Sequence, residues 1–498
     1  MSAPLLPRHN RPEGRLSVES QEIYDLYENK IWSREQPPRA RFIGQMSSLL
    51  QRFQIGYPSR RDYRLLIPAL PLPPRYHRRL ILRLSYYLLI VLSPVVVLVA
   101  FTSTFYPSYT RLPPHYSFLR DQVLDSNQAG RGNLRNEKIF IAASLYDPTG
   151  ELTQGPWASS VLQLITLLGE ENVFLSIYEN DSGEEDRLAL RNLDHRVPCN
   201  RSIVYEHLDP GELPKIAIPD GAERVKRITY LAETRNRALR PLDEATTRFN
   251  KLLYLNDVAL DPIDALQLLF STNADETGSR STELRGYCMG LPFFPWFSDA
   301  GSGQSRRDVL SGKDAVSVRS CWGGMVAFDA QPFQSDAQTT AKAARGSLPA
   351  RFRALNDTDL FWDASECCLI HADIESPRHG ETETETGIYM NPFVRVAYDT
   401  HPLSWLLTTR RFEKLYFAIH NVGSHIVGLP WFNPRREEIL GQSYRDTVFM
   451  PEMAAAGSFQ TVERVGRHDG FCGRRGLQVV VPRNQGKKGW QTIPMPGR

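Results

Sequence analysis

An apolar run, Lys251-Leu-Leu-Tyr-Leu255, gives way abruptly to Asn256-Asp257, with Asp261 four residues further on. A carboxylate placed where a buried strand leaves its sheet can hold a hard divalent cation, which takes one or two carboxylates and fills its shell with phosphate oxygens and water. Such an ion neutralises the charge of a departing diphosphate. Asn256, Asp257 and Asp261 are therefore candidate metal ligands, and His371 is a fourth. The same residues also suit plainer work. Asn-Asp is common turn chemistry, Asp261 before Pro262 is a fitting helix N-cap, and a lone histidine is more often structural.

Other residues carry complementary chemistry. Arg235 and Asn236, in YLAETRNRAL, offer a planar cationic fork for phosphate and an amide for a base or ribose. Trp322 and Gly323, in SCWGGMVAFDA, offer a flat apolar ring of the kind sugars stack on and a backbone that a ligand can approach closely. Glu366 and Asp373, in SECCLIHADI, flank an apolar stretch and are candidate catalytic carboxylates. Asp147 and Glu179 stand at the carboxyl ends of two further apolar runs and are candidate nucleotide-sugar contacts.

These positions gain meaning from the elements that hold them. KIFIAASLY, NVFLSIYE, SIVYEHL and FNKLLYLNDVAL read as strands. Between them, PWASSVLQLITLLGE, EEDRLALRNLDH and VKRITYLAETRNRAL read as helices, and Asp261 opens another. This alternation predicts an α/β fold with crossover helices and a largely parallel sheet. In such sheets ligands bind beyond the carboxyl ends of the strands, where Asp147, Glu179, Asn256 and Asp257 fall. SDAGSGQSRRDVLSG and GETETETG read as loops.

Upstream, Leu84 to Phe105 contains no charged residue. At about 1.5 Å per residue a helix of this length crosses a hydrocarbon core. Arg75, Arg78, Arg79 and Arg83 precede it, whereas Arg111 is the only Lys or Arg in the fourteen residues that follow. The positive-inside rule then places the N-terminus in the cytosol and the body in a lumen. Residues 1–83 hold 15 Lys/Arg against 7 Asp/Glu, while the rest holds 44 against 49. This asymmetry argues against nucleic-acid binding by the body and for a membrane-facing tail. All six cysteines follow the span, as disulfides in an oxidising lumen require; at least one bridge is expected, and not between adjacent Cys367 and Cys368. The sequons at Asn180, Asn200 and Asn356 also follow the span. The expected organisation is a basic tail (1–83), a signal anchor (84–105), a stem (106–136), a catalytic domain (137–436) and a C-terminal extension (437–498).

The order YLAETRNRAL, YLNDV, SCWGGMVAFDA, RFRAL, SECCLIHADI and GIYMNPFVRVAYD closely resembles the fungal α-1,3-mannosyltransferases of glycosyltransferase family 69, the cryptococcal, CAP59-like enzymes. The resemblance implies a GT-A-like fold, GDP-mannose as donor, Mn²⁺ or another divalent cation, and retaining transfer to a mannose-containing glycan. It also implies a Golgi or ER membrane protein with a lumenal catalytic domain. On this resemblance Asn256 and Asp257 match the metal element, Arg235 and Asn236 the nucleotide element, and Trp322, Gly323, Glu366 and Cys367 the two most distinctive motifs. The glycine-rich stretch at 298–312 departs from the family pattern; Asp299, Arg307 and Asp308 stand there in place of its Asp and Arg-Asp elements. Two other readings stand beside it, the first from another class and the second a related enzyme. One is a catalytically silent membrane scaffold for polysaccharide assembly, and the other a transferase using a different sugar nucleotide.

Overall fold

The computed structural model describes residues 74–105, 107, 109–180, 183–272, 286–289, 304–334, 349–356, 358–375, 387–426, 438–452, 455–481 and 489–495. They fall into two compact units, one comprising the N-terminal part through Pro107 with Lys414–Gly428, the other comprising the remainder. In the first, helix α1 (Pro74–Phe105) contains a 24-residue stretch, Leu82–Phe105, of mean hydropathy 2.4 that is long and apolar enough to cross a membrane. The helix begins ten residues before the expected anchor, because the Arg-rich flank continues the same helical turn.

The second unit is a mixed α/β body. Helix α2 (Pro114–Leu124) comes first, with Tyr116, Leu119 and Val123 buried, so part of the expected stem is packed structure. There follow β1 (Ile139–Leu145), α3 (Pro156–Leu168), β2 (Val173–Asn180), α4 (Glu184–Arg196), β3 (Asn200–Glu206), α5 (Arg227–Leu239) and β4 (Lys251–Leu255). Then come β5 (Gly286–Met289), β6 (Val316–Ser317), β7 (Met325–Asp329), α6 (Glu366–Ile374) and β8 (Ile388–Asn391).

The eight strands form one sheet in the order β3-β2-β1-β4-β7-β5-β8-β6. β1 to β4 are mutually parallel, as is the pair β5/β8, whereas β7 runs antiparallel to β4 and β5. β1, β2 and β4 are buried on both faces, whereas the edge strand β3 is partly exposed along its length. In β1, Ile139, Ile141, Ala143 and Leu145 pack in the layer that also holds α3 and α4. Phe140 and Ala142 pack on the opposite side with α5 and α6. This period-two alternation of uniformly apolar residues is what a sheet covered twice requires.

FNKLLYLNDVAL, expected as one strand, is split. β4 stops at Leu255, and Ala259–Leu260 pairs instead with Val396–Ala397. The C-terminal segment belongs to the body: Arg474–Arg475 pairs with Trp362–Asp363, and Cys368 is disulfide-bonded to Cys472. Cys321 is disulfide-bonded as well, while Cys199 and Cys367 are buried thiols outside any disulfide. Of the loop expected at 298–312, Gln304–Leu310 is helical. Asp299 and residues 380–386 lie outside the described residues. The side chain of Asn180 is buried, holding Leu208 N at 3.0 Å, whereas Asn200 and Asn356 are exposed.

Candidate active site

Four stretches far apart in sequence converge at the carboxyl ends of β1 and β4. Register is the first cause. Leu255 pairs with Met325 across the antiparallel β4/β7 ladder, so the next residues outward, Asn256 and Gly324, become neighbours. Asn256 N donates to Gly324 O at 2.9 Å. Gly324 takes φ +85, and a Cβ there would stand 2.9 Å from Val258 Cγ1. Gly324 is thus needed so that the 322–325 backbone can close on the loop carrying Asp257.

Arg235 is the second cause. α5 packs on β1 and β2 and delivers this side chain into an aromatic enclosure. Its guanidinium lies 4.6 Å from the Trp322 ring centroid, 5.4 Å from Tyr254 and 5.6 Å from Phe352, all within cation–π range. Its Nε donates to Glu366 Oε1 at 2.9 Å, and its Nη1 donates to Asn256 Oδ1 at 3.2 Å. Glu366 also accepts from Ser365 Oγ and from the Cys367 thiol. The ETRN, LND, CWGG and SECC motifs therefore meet on one guanidinium.

Asp257 is partly exposed beside this group. Burial pushes its carboxyl above the ordinary range, and the charge of Asp147 adds to that shift against the opposing pull of Arg235. Asp147 and Asp257 thus lie at the ends of adjacent parallel strands, near enough for their charges to interact. A hard divalent cation would relieve both the desolvation and the repulsion, so the donor chemistry of the pair fits one. Among the described residues no group of three or more His, Cys, Asp or Glu side chains gathers around a metal position. A cation shared with a diphosphate needs fewer protein ligands than that.

Asp147 has structural work as well: its Oδ2 accepts from Leu152 N and Thr153 N at 2.8 and 3.0 Å, ordering the turn after β1. Glu179 at the end of β2 is fully buried and hydrogen-bonds the carboxyl group of Asp186, also fully buried. Glu179 is therefore part of a buried carboxyl pair and presents no surface to a nucleotide.

Several other expectations meet different geometry. Asp261 caps the helix Pro262–Leu266, accepting from Ile263 N at 2.8 Å. His371 is fully buried, with Nδ1 2.7 Å from Cys367 O, and burial lowers its pKa to about 4. It stands in the aromatic core against Trp322 and Phe328, not at the strand ends. Asp373 is held by Arg353 through two 2.8 Å contacts, and Arg353 also reaches Asp469; this carboxylate ties the C-terminal segment to α6. Asn236 is turned away from the strand ends and clamps the backbone of Phe352, giving to its carbonyl and accepting from its N–H, both at 2.8 Å. Asp308 pairs with Lys313.

Sequence reasoning passed over three contributors. Trp157 Nε1 donates to Asn256 O at 3.0 Å and anchors the loop from below. Tyr254 is fully buried and gives its hydroxyl to Ser144 Oγ. Asp186 completes the pair with Glu179. A tryptophan in the first turn of the first crossover helix, and a tyrosine just before the Asn-Asp element, were the signals available.

Residues 138–373 match the family described as Cryptococcal mannosyltransferase 1. No curated protein matches the chain. Among solved structures, the chain is similar to the mannosyltransferase PcManGT from Pyrobaculum calidifontis in complex with GDP-Man and Mn²⁺, at 11% identity over 60% of this chain and 70% of that one, with a TM-score of 0.30. It is also similar to a mycobacterial protein, at 11% identity over 68% of this chain and 86% of that one, with a TM-score of 0.27.

Proposed function

We propose, from the match of residues 138–373 to the family described as Cryptococcal mannosyltransferase 1, that the protein transfers mannose from GDP-mannose to a mannose-containing glycan, forming an α-1,3 linkage with retention. The observation that carries this reading is the convergence of four motifs on Arg235 beside the Asp147/Asp257 pair. Asp257, supported by Asp147, would hold Mn²⁺ or another divalent cation, which when bound supplies the positive charge that a leaving GDP needs. Asn256 is fixed by Arg235, Trp157 and Gly324 and sets the direction in which Asp257 points. Arg235 is a positioning residue: its donors are engaged within the protein, so it locks the strand-end loop to α6. Glu366 acts through Arg235, and Trp322 forms the ring wall against which a sugar would lie.

The apolar helix, preceded by basic residues, supports a type II membrane protein with its body in the lumen of the Golgi or ER. A C-terminal tag in intact microsomes should then resist protease until detergent is added. Activity is tested with full-length protein in detergent, by following GDP release from GDP-mannose in the presence of mannosyl oligosaccharides. Release should require a divalent cation and exceed that from GDP-glucose or UDP-glucose. Equal release from all three donors, or none from GDP-mannose at any cation concentration, would overturn the assignment.

A further inference from the structure

Helix α7 (Glu413–Ile426) carries an apolar stripe that is not turned inward. Tyr416, Ile419, Val422 and Ile426 are 56%, 62%, 50% and 68% exposed. At about 100° per residue these positions lie within one band roughly 120° wide. A continuous exposed stripe of large apolar residues marks a surface that meets something other than water. With 14 residues the helix is about 21 Å long, too short to cross a hydrocarbon core of about 30 Å.

We propose that α7 lies along the membrane surface, with this stripe sunk into the boundary between headgroups and acyl chains of the bilayer that α1 crosses. Two observations favour lipid over a protein partner. Residues 414–426 belong to the same compact unit as the membrane-spanning helix. Exposed Arg411 stands just before the helix and exposed Lys414 on its polar face, away from the stripe, with Tyr416 one turn in. Cations on the polar side of an aromatic-led apolar band are the composition of an interfacial helix on anionic lipid.

The test uses full-length protein in nanodiscs of phosphatidylcholine and phosphatidylserine. A single cysteine replaces Ile419, Val422 or, as the opposite-face control, Lys414, and is labelled with an environment-sensitive dye. Tyr416→Cys serves if either stripe variant is poorly recovered. The native thiols of Cys199 and Cys367 are buried, and labelling of the unsubstituted protein sets the background. Dyes at 419 and 422 should emit to the blue of the dye at 414 and be quenched by lipids carrying a spin label near the headgroup. Red-shifted emission at all three positions would overturn the proposal. So would blue-shifted emission without lipid quenching, which would mean that protein, including a second copy of this chain, covers the stripe.

Discussion

Arg235 and Glu366 are 131 residues apart in sequence and meet at 2.9 Å, with side chains only 9% and 2% exposed. Removing one member of a buried ion pair strands the other charge, at a cost of about 3–5 kcal/mol. Glu366→Ala should therefore lower the thermal midpoint sharply, and Glu366→Gln by less. The double variant Arg235→Met/Glu366→Leu should be more stable than Arg235→Met alone. If the double variant instead shows the sum of the single losses, the two residues are not coupled as described.

Asp257→Asn tests the chemistry. It keeps the size and one acceptor oxygen but removes the charge. A loss of about 3–4 kcal/mol of leaving-group stabilisation would slow mannose transfer on the order of 10²–10³-fold, with partial recovery at high Mn²⁺. The fold should survive, because the variant also removes a desolvated carboxyl that the charge of Asp147 disfavours. Transfer within a fewfold of the parent, per folded molecule, would remove Asp257 from the site.

Gly324→Ala separates loop geometry from ligand chemistry. The new methyl meets Val258 at 2.9 Å on a backbone of φ +85, a strain of about 1–3 kcal/mol. Gly323→Ala is the comparison, since Gly323 is not among the positive-φ glycines. Transfer should fall further in the 324 variant, and the companion Val258→Ala should restore part of it by opening space. No rescue would mean that backbone conformation alone, not the contact with Val258, sets the position of Asp257.

How much of this was readable beforehand depended on the range of the forces involved. Strands β1, β2 and β4 announce themselves because a doubly covered sheet demands largely apolar runs, and Asp257 stands out as the charge that ends one. The break after Leu255 was not readable, since it depends on Gly324 arriving from the neighbouring antiparallel strand. Asp373 and Asn236 look like site residues in sequence because they are polar and near the motifs. Their partners, Arg353 and the Phe352 backbone, are 20 and 116 residues away. Only chain closure could reveal that those side chains were already engaged.

The carboxyl pair of Asp186 and Glu179 gives the body a pH dependence of known sign. Burial, with the charge of Asp147 adding to it, raises Asp186 from 3.8 to about 6. The folded state then binds more protons than the unfolded chain between those values, so this pair's contribution to stability falls as pH rises through that window. Asp186→Asn replaces the shared proton with permanent amide donors. It should raise the thermal midpoint relative to the parent at pH 7.5 and lose most of that advantage at pH 4. An equal effect at both pH values would place the pair's titration outside this range.

The inward-facing amide of Asn180 has a consequence for biosynthesis. Asn180-Asp-Ser is an acceptor sequence for N-linked sugar, yet the folded chain keeps that asparagine inside, bonded to Leu208 N. In the lumen proposed for this body, the oligosaccharide is offered while the chain is still emerging. A sugar attached there would keep β2 from completing its edge with β3 and the 206–208 segment. Maturation thus becomes a race between burial of one asparagine and its modification, whereas Asn200 and Asn356 can accept sugar at any time without penalty to the fold.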